Sequence, residues 1–506
     1  MQSRSTLVWS AAPLAALAAA SLAAPKKTAA VVTAGFGHVA SGLGTLWQWL
    51  FVAVALVAVG LAASPWGRAR LGHGTVLYSL PGWIAVLLCT LLAGGGVFWV
   101  AAEPLLHFQT LPPHFETPAT PRDAAVLALA QAHLHWGFLA WAMVGTLGAI
   151  ALAAAHRLDG TPLRPRALLG STLGRASTRL GALADAVSIV AVVAGTVGPI
   201  GFLALQLSNA AHVLFDLPDV YLSQVTVLVL LVALYTASAA SGLDRGIAWL
   251  SRGNVLGAIV LGIAVCAVGP TAFVLDVGPA SLVAYARHLP TMALTTSDPG
   301  WNSWWTVFFW GWFLGFAPMM SVFVARISRG RTIRELVLAV AVLAPVATHI
   351  WFIVLGGTAL GLELETPGLV VGPLKDGGMA AAMLAMLQAL PGAGFLVPLF
   401  IVLVFCFLAT TGDSVAYAVS VVLSGRERPP VRMRIGWAVG MGLLAAALLG
   451  VGQTGIDTLQ QFIVITAAPV TLLVLPTLWT GPLAARRLWA HEQSMRAAEP
   501  TNERSD

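Results

Sequence analysis

Charge is scarce in this chain. Of its 506 residues only 9% are Asp, Glu, Lys or Arg, where soluble domains carry roughly 25%. Apolar residues make up 58%, too many for a surface that faces water, so lipid is the solvent this sequence suits. Cysteine is scarce as well. Cys89, Cys266 and Cys406 all lie in apolar runs; their spacing fits neither a disulfide framework nor a metal site, and they read as small packing residues. His-Glu-x-x-His, Gly-x-Ser-x-Gly and a Walker phosphate loop are all missing. The commonest hydrolase and nucleotide-handling constellations are thereby excluded, and the chain reads as no enzyme, with no catalytic residue. A net charge of +6 would suit nucleic acid, but the map of basic residues removes that partner.

What is abundant is long apolar runs. A bilayer-spanning helix needs about 20 such residues. Twelve runs qualify: Thr6–Ala24, Thr45–Ser64, Gly82–Val100, Val126–Ala155, Ala186–Phe215, Ser223–Ser241, Val255–Phe273, Trp304–Ala325, Leu336–Leu360, Gly394–Leu423, Ile435–Val451 and Thr458–Thr480. Backbone polar groups find no water in lipid, and the pattern is helical rather than the ten-residue alternation of a barrel, so an all-α polytopic membrane protein with twelve transmembrane helices is expected. Of the 27 lysines and arginines, 22 fall in the tails or in the connections after even-numbered runs. By the positive-inside rule both termini lie in the cytoplasm, and the charge is topology, not a nucleic-acid surface.

The first run has two readings, a retained helix or a cleaved signal peptide ending near Ser21-Leu22-Ala23, and the apolar length favours retention. Two outer segments, Ser281–Ser303 and Lys375–Gly392, are moderately apolar. Within the second, Met379–Leu390 fits an interfacial helix or one packed on the protein itself. Residues 481–506 form a short tail with no room for a soluble domain.

Few polar residues interrupt the runs. Glu103-Pro104 reads as a helix end at the interface, and Asp185 as an acidic residue at a helix N-terminus. His133, His135 and His349 read as packing or helix-end histidines; a spacing of two puts the first pair on different faces. Asp413, inside Thr410-Thr411-Gly412-Asp413-Ser414, is either part of a cation site or a local cap of an interrupted helix. Ala93-Gly94-Gly95-Gly96 is either an unwound stretch facing a cavity or a close helix–helix contact. Aromatic residues concentrate in one run: Trp304, Trp305, Phe308, Phe309, Trp310, Trp312, Phe313 and Phe316. The outer tryptophans suit a membrane interface. Trp310 and Trp312 lie deeper, and Trp136 and Trp141 stand five apart in the fourth run. Indole faces attract cations at about 0.5–2 kcal/mol each, so three or four can hold a permanent cation without a carboxylate.

The stretch from Trp305 through Trp310-Gly-Trp312 and Pro318 to Phe323-Val-Ala-Arg-Ile-Ser-Arg-Gly-Arg-Thr-Ile-Arg-Glu335 resembles the signature of the betaine/carnitine/choline transporter family. Phe98-Trp-Val-Ala-Ala-Glu-Pro104, His135-Trp-Gly-Phe-Leu-Ala-Trp141, Ser241-Gly-Leu-Asp-Arg-Gly-Ile247 and Thr410-Thr-Gly-Asp-Ser414 extend the resemblance along most of the chain.

The resemblance implies the inverted five-helix-repeat fold of neurotransmitter:sodium symporters, a homotrimer and an inner-membrane location. The division it implies is a tail with two peripheral helices (1–78), a first repeat (79–275), an external connection (276–303), a second repeat (304–480) and a cytoplasmic tail (481–506). It implies a substrate site at Trp136, Trp141, Trp310, Trp312 and Phe313, with Ala93, Gly94, Gly95 and Phe316 along the pathway or unwound segment. It further implies a sodium site at Thr410 and Thr411, with Thr196 at a second one. Val144, Phe313 and Phe316 stand where the family has Tyr, Trp and Trp, so an altered cage and a less methylated or bulkier zwitterion than glycine betaine are expected. Ala186–Phe215 has no Arg or Lys, so the positive charge that replaces sodium in the family's antiporters is missing, and sodium symport is expected over sodium-independent exchange. A transporter-like sensor is the rival from another class. The short tail implies little osmotic activation.

Overall fold

The structure is a computed structural model, and it describes residues 2–72, 74–91, 93–170, 176–241, 244–426, 428–450 and 453–498. Among these no β-strand occurs; one isolated bridge joins Arg70 to Thr332. The first half consists of α1 (Gln2–Ala23), α2 (Pro25–Ala63), α3 (Leu80–Leu91), α4 (Ala93–Gln109), α5 (Pro121–Trp136), α6 (Phe138–Gly145), α7 (Leu147–Asp159), α8 (Ala176–Phe215), α9 (Tyr221–Ser241), α10 (Asp244–Val268) and α11 (Thr271–Leu294). A short helical turn, Pro299–Asn302, and a π-helical turn, Ser303–Val307, lead into α12 (Phe308–Ile327). Then follow α13 (Ile333–Leu338), α14 (Ala344–Trp351), α15 (Gly357–Glu365), α16 (Val371–Gly377), α17 (Met379–Gln388), α18 (Ala393–Ser424), α19 (Val431–Leu449), α20 (Gln453–Val474) and α21 (Thr477–Ala498). Among the described residues nine helices are long and apolar enough to cross a membrane, or eleven counting two bent pairs. The shorter apolar helix Tyr221–Ala237 occupies the sixth run. This is an all-helical multi-pass membrane protein.

Several boundaries differ from the sequence expectation. The second run is the end of a 39-residue helix that begins at Pro25, whose missing N–H suits a first turn. The segment before Thr45 is thus helix, not connection. The external connection at 276–303 is mostly α11, which leaves α10 at 116°. The last run breaks after Val474, and α21 continues through the assumed tail boundary at 480 to Ala498. Met379–Gln388 packs on the protein: Ala380 to Leu384, Met386 and Leu387 are buried, against α4 and α8 among others.

Burial orders the helices. Of an 18-residue apolar stretch in each span, 94% is buried in the span holding α12 and 89% in Leu180–Phe215, but only 28% in Arg4–Ala23. Apolar side chains such as Leu56, Leu230, Ile263, Leu443 and Leu472 point outward, as a membrane-spanning bundle requires. The aromatic run is therefore the centre of the bundle.

Two helix breaks bear on function. α3 and α4 meet at 63°, next to the glycine cluster. Gly137 ends α5 with non-helical angles, and Thr146 does the same for α6. Trp136 and Trp141 flank the first break. At Gly137 a Cβ would sit 2.6 Å from the His349 ring, so only glycine lets the chain turn here.

Candidate functional site

α12 stacks its aromatic residues along one face. Trp312 and Phe313 lie 5.8 Å apart and nearly coplanar, at 6°. Phe309 stacks on both, at 6.3 and 6.1 Å. Trp136 meets them edge-on, 6.0 Å from Trp312 at 82° and 5.6 Å from Phe313 at 77°. Its own face stacks on Phe352, 5.7 Å away. Gly95 makes the arrangement fit: a Cβ there would stand 2.6 Å from Trp136 and 2.7 Å from Trp312. The indole N–H of Trp312 donates to the Gly195 carbonyl at 3.0 Å, and Phe316 lies against that same glycine. Trp136, Trp312, Phe313, Gly95 and Phe316 thus share one site.

Two expected members stand elsewhere. Trp310 turns to the peripheral helix α2 and stacks on Phe51 at 4.3 Å. The reason is helical geometry: two positions from Trp312 is a different face. Trp141 donates its N–H to Thr348 on α14 at 3.1 Å. Ala93 and Gly94 lie at the start of α4, and their side chains fall outside the described residues. Val144 is fully buried. Phe309, Phe352 and Gly195 were missed by sequence reasoning; Phe309 is one turn before Phe313, and that spacing was the available signal.

Behind Trp136 lies a buried polar cluster. Glu103 is fully buried in mid-α4, not at an interfacial helix end, because α4 continues to Gln109. Its Oε2 accepts the Trp136 N–H at 2.6 Å, and its Oε1 lies 2.6 Å from His135 Nδ1. His135 Nε2 faces Gln131 Nε2 at 3.0 Å and Thr306 Oγ1 at 3.3 Å. His107 Nε2 is 3.4 Å from Glu103 Oε1. Glu103, His107 and His135 have the ligand types of a transition-metal site, with atoms within 4.8 Å of one another. However, two ligands of one tetrahedral zinc stand ~3.3 Å apart, and the 2.6 Å contact is a hydrogen bond. His133 faces away, toward Ser281 at 3.1 Å and His349 at 3.1 Å.

The hydroxyls of the tenth run are buried on α18. Thr410 donates to the Phe407 carbonyl at 2.8 Å and Thr411 to the same carbonyl at 2.9 Å. Their oxygens retain lone pairs able to take a hard cation. Thr196, on α8, donates to the Val192 carbonyl at 2.6 Å. Asp413 is neither a plain cap nor free: it pairs with Arg434 of α19 at 3.1 Å. Arg434 and Arg326 both lie over Tyr417, at 5.2 and 5.5 Å, and Arg326 also donates to its hydroxyl at 2.8 Å. Asp185 lies within α8, not at its start, and is held by Arg166 at 2.6 Å.

A cavity of about 360 Å³ lies beside the site, lined by Phe98, Leu205, Asp219, Tyr221, Met379 and Gly450 among others. Phe98 packs against Trp99 at 5.6 Å, and Trp99 against Phe309 at 5.4 Å. Ring contacts thus run from the cavity's lining through Trp99 to the site.

The betaine/carnitine/choline family transporter pattern matches residues 5–490. Glycine betaine transporter 2 of Vibrio parahaemolyticus is 44% identical over 91% of this chain and 86% of its own. An ectoine/glycine betaine/proline transporter of Corynebacterium glutamicum is 31% identical over 90% of this chain and 75% of its own. A solved sodium-coupled sialic acid symporter, substrate-bound and outward-open, aligns over 89% of this chain and 87% of its own, with a TM-score of 0.45 and 14% identity. With a family match along nearly its whole length, the chain belongs to the betaine/carnitine/choline family of membrane transporters.

Proposed function

We propose that this protein takes up a betaine-like quaternary ammonium or related zwitterionic solute by sodium-coupled alternating access. The observation that carries the reading is the convergence of Trp136, Trp312 and Phe313 over Gly95. Three aromatic faces or edges meet in the most buried part of the bundle. Rings that part to admit a trimethylammonium group hold it by its charge, and release it readily because no salt bridge needs to break. Relatives that are named glycine betaine transporters support this substrate class. Sodium coupling is supported by the paired hydroxyls Thr410 and Thr411 and by the lack of Arg or Lys in Ala186–Phe215. The reading includes two inverted five-helix repeats, a homotrimer in the cell membrane and cytoplasmic termini, the last supported by the alternation of basic residues.

The test is uptake of labelled glycine betaine into proteoliposomes at fixed membrane potential, with sodium and with potassium. Uptake that needs sodium supports the reading. Equal uptake in both salts removes the sodium coupling, and no uptake in either removes glycine betaine as the substrate.

A further inference from the structure

A carboxylate buried among apolar helices is costly, so its partners reveal its state. Glu103 is fully buried, and its salt-bridge partners among the described residues are His107 and His135, with no Lys or Arg. The Trp136 indole can only donate, and it takes Oε2. In the amide orientation that the structure gives Gln131, its nitrogen meets His135 Nε2, which then accepts. The His135 proton is therefore on Nδ1, and it is donated to Glu103 Oε1. The Gln131 carbonyl oxygen in turn accepts from His114 Nε2 at 3.0 Å. Every donor in the line His114, Gln131, His135 points toward Glu103, and Trp136 points at it from the other side. With these orientations a protonated Glu103 would lack an acceptor for its proton, because both its oxygens face donors.

From this we infer that Glu103 is the anionic residue of the substrate site, positioning Trp136 and placing a negative charge behind the ring that meets the ligand's cation. The inference rests on the cation reading given above. Two consequences follow physically. The 2.6 Å bond fixes the indole edge-on to Trp312 and Phe313. Donation into a carboxylate also pushes electron density onto the indole, which strengthens the attraction of its face for a cation. An uncompensated buried carboxylate is most stable when a cation sits nearby, so the incoming ammonium stabilises the same charge that attracts it. Permanently cationic or zwitterionic ligands are thereby favoured over neutral ones of the same shape.

The test is the Kd for glycine betaine, in saturating sodium, of wild type, Glu103→Gln and Glu103→Asp. Gln keeps the shape and loses the charge; Asp keeps the charge and loses the shape. The charge role gives at least a tenfold loss in Glu103→Gln and a smaller loss in Glu103→Asp. The reverse order, with Gln the milder, makes Glu103 a merely structural residue and overturns the inference. Wild-type protein that binds no glycine betaine overturns the cation reading and this inference with it. Should Glu103→Gln fail to fold, ultraviolet resonance Raman difference spectra of wild type against Trp136→Phe report the indole N–H directly. A strongly hydrogen-bonded N–H is expected, and a free or weakly bonded one overturns the inference.

Discussion

The indole N–H of Trp136 donates to Oε2 of Glu103 at 2.6 Å, with both side chains buried. This bond ties α4, which meets α3 at a sharp bend, to the ring that closes over α12. Any movement of α4 that opens a path to the site must therefore carry Trp136 with it or break the bond. In the proposed alternating-access cycle this contact would couple movement of α4 to the grip on the ligand.

Gly95 is the tightest constraint on the site. In Gly95→Ala the new methyl would stand 2.6 Å from Trp136 and 2.7 Å from Trp312. Overpacking of this kind costs about 1–3 kcal/mol. Glycine betaine affinity is expected to fall at least tenfold, read by isothermal titration, while the protein still elutes as wild type on size exclusion. Unchanged affinity would mean that the rings are not held as described.

The ring series separates the members of the site. Trp312→Ala removes a stacked face, and a loss of about tenfold or more in cation affinity is expected. Trp310→Phe, by contrast, acts on packing against Phe51. It is expected to lower thermal stability and to leave the Kd within about threefold. Phe313→Trp is expected to tighten binding of trimethylated ligands, since Trp attracts cations better than Phe. Equal losses in the Trp310 and Trp312 variants would return Trp310 to the site.

Much of this was legible in the sequence, for physical reasons. Lipid demands long apolar helices, so each of the twelve runs falls largely within described helix. The aromatic concentration marked the central helix, because rings of that size pack best where burial is deepest. What one dimension hides is direction. Trp310 and Trp312 read alike in sequence and point to different neighbours. Glu103 read as a helix end because Pro104 follows it, yet α4 tolerates the proline and continues. The partners of Asp185 and Asp413, Arg166 and Arg434, lie some 20 residues away in sequence, which no local pattern announces.

The buried pair of Asp413 and Arg434 is expected to be structural. Removing one partner of such a pair costs roughly 3–5 kcal/mol, because the other charge is left buried. Asp413→Ala should lower the thermal midpoint by several degrees, and adding Arg434→Met should recover at least half of the loss. No recovery in the double variant would assign Asp413 a further role, such as in the cation site.

His114 lies outside the spans, and burial pulls its pKa down to about 4, with repulsion from His288 adding to this and the Gln131 hydrogen bond opposing it. The unfolded chain then binds a proton near pH 6.5 that the folded protein refuses until about pH 4. Stability is therefore expected to fall as pH drops from 6.5 to 4. Thermal midpoints across that range check it: His114→Gln should fall less steeply than wild type.

The central claim is that the Trp136, Trp312 and Phe313 rings hold a positive charge and not merely a bulky group. Competition binding of glycine betaine against 3,3-dimethylbutyrate measures this directly, because the two share their shape and differ in the cation. Betaine is expected to bind at least tenfold more tightly, in keeping with a gain of about 0.5–2 kcal/mol per ring face. Equal affinity of the two ligands would contradict the cation-holding site.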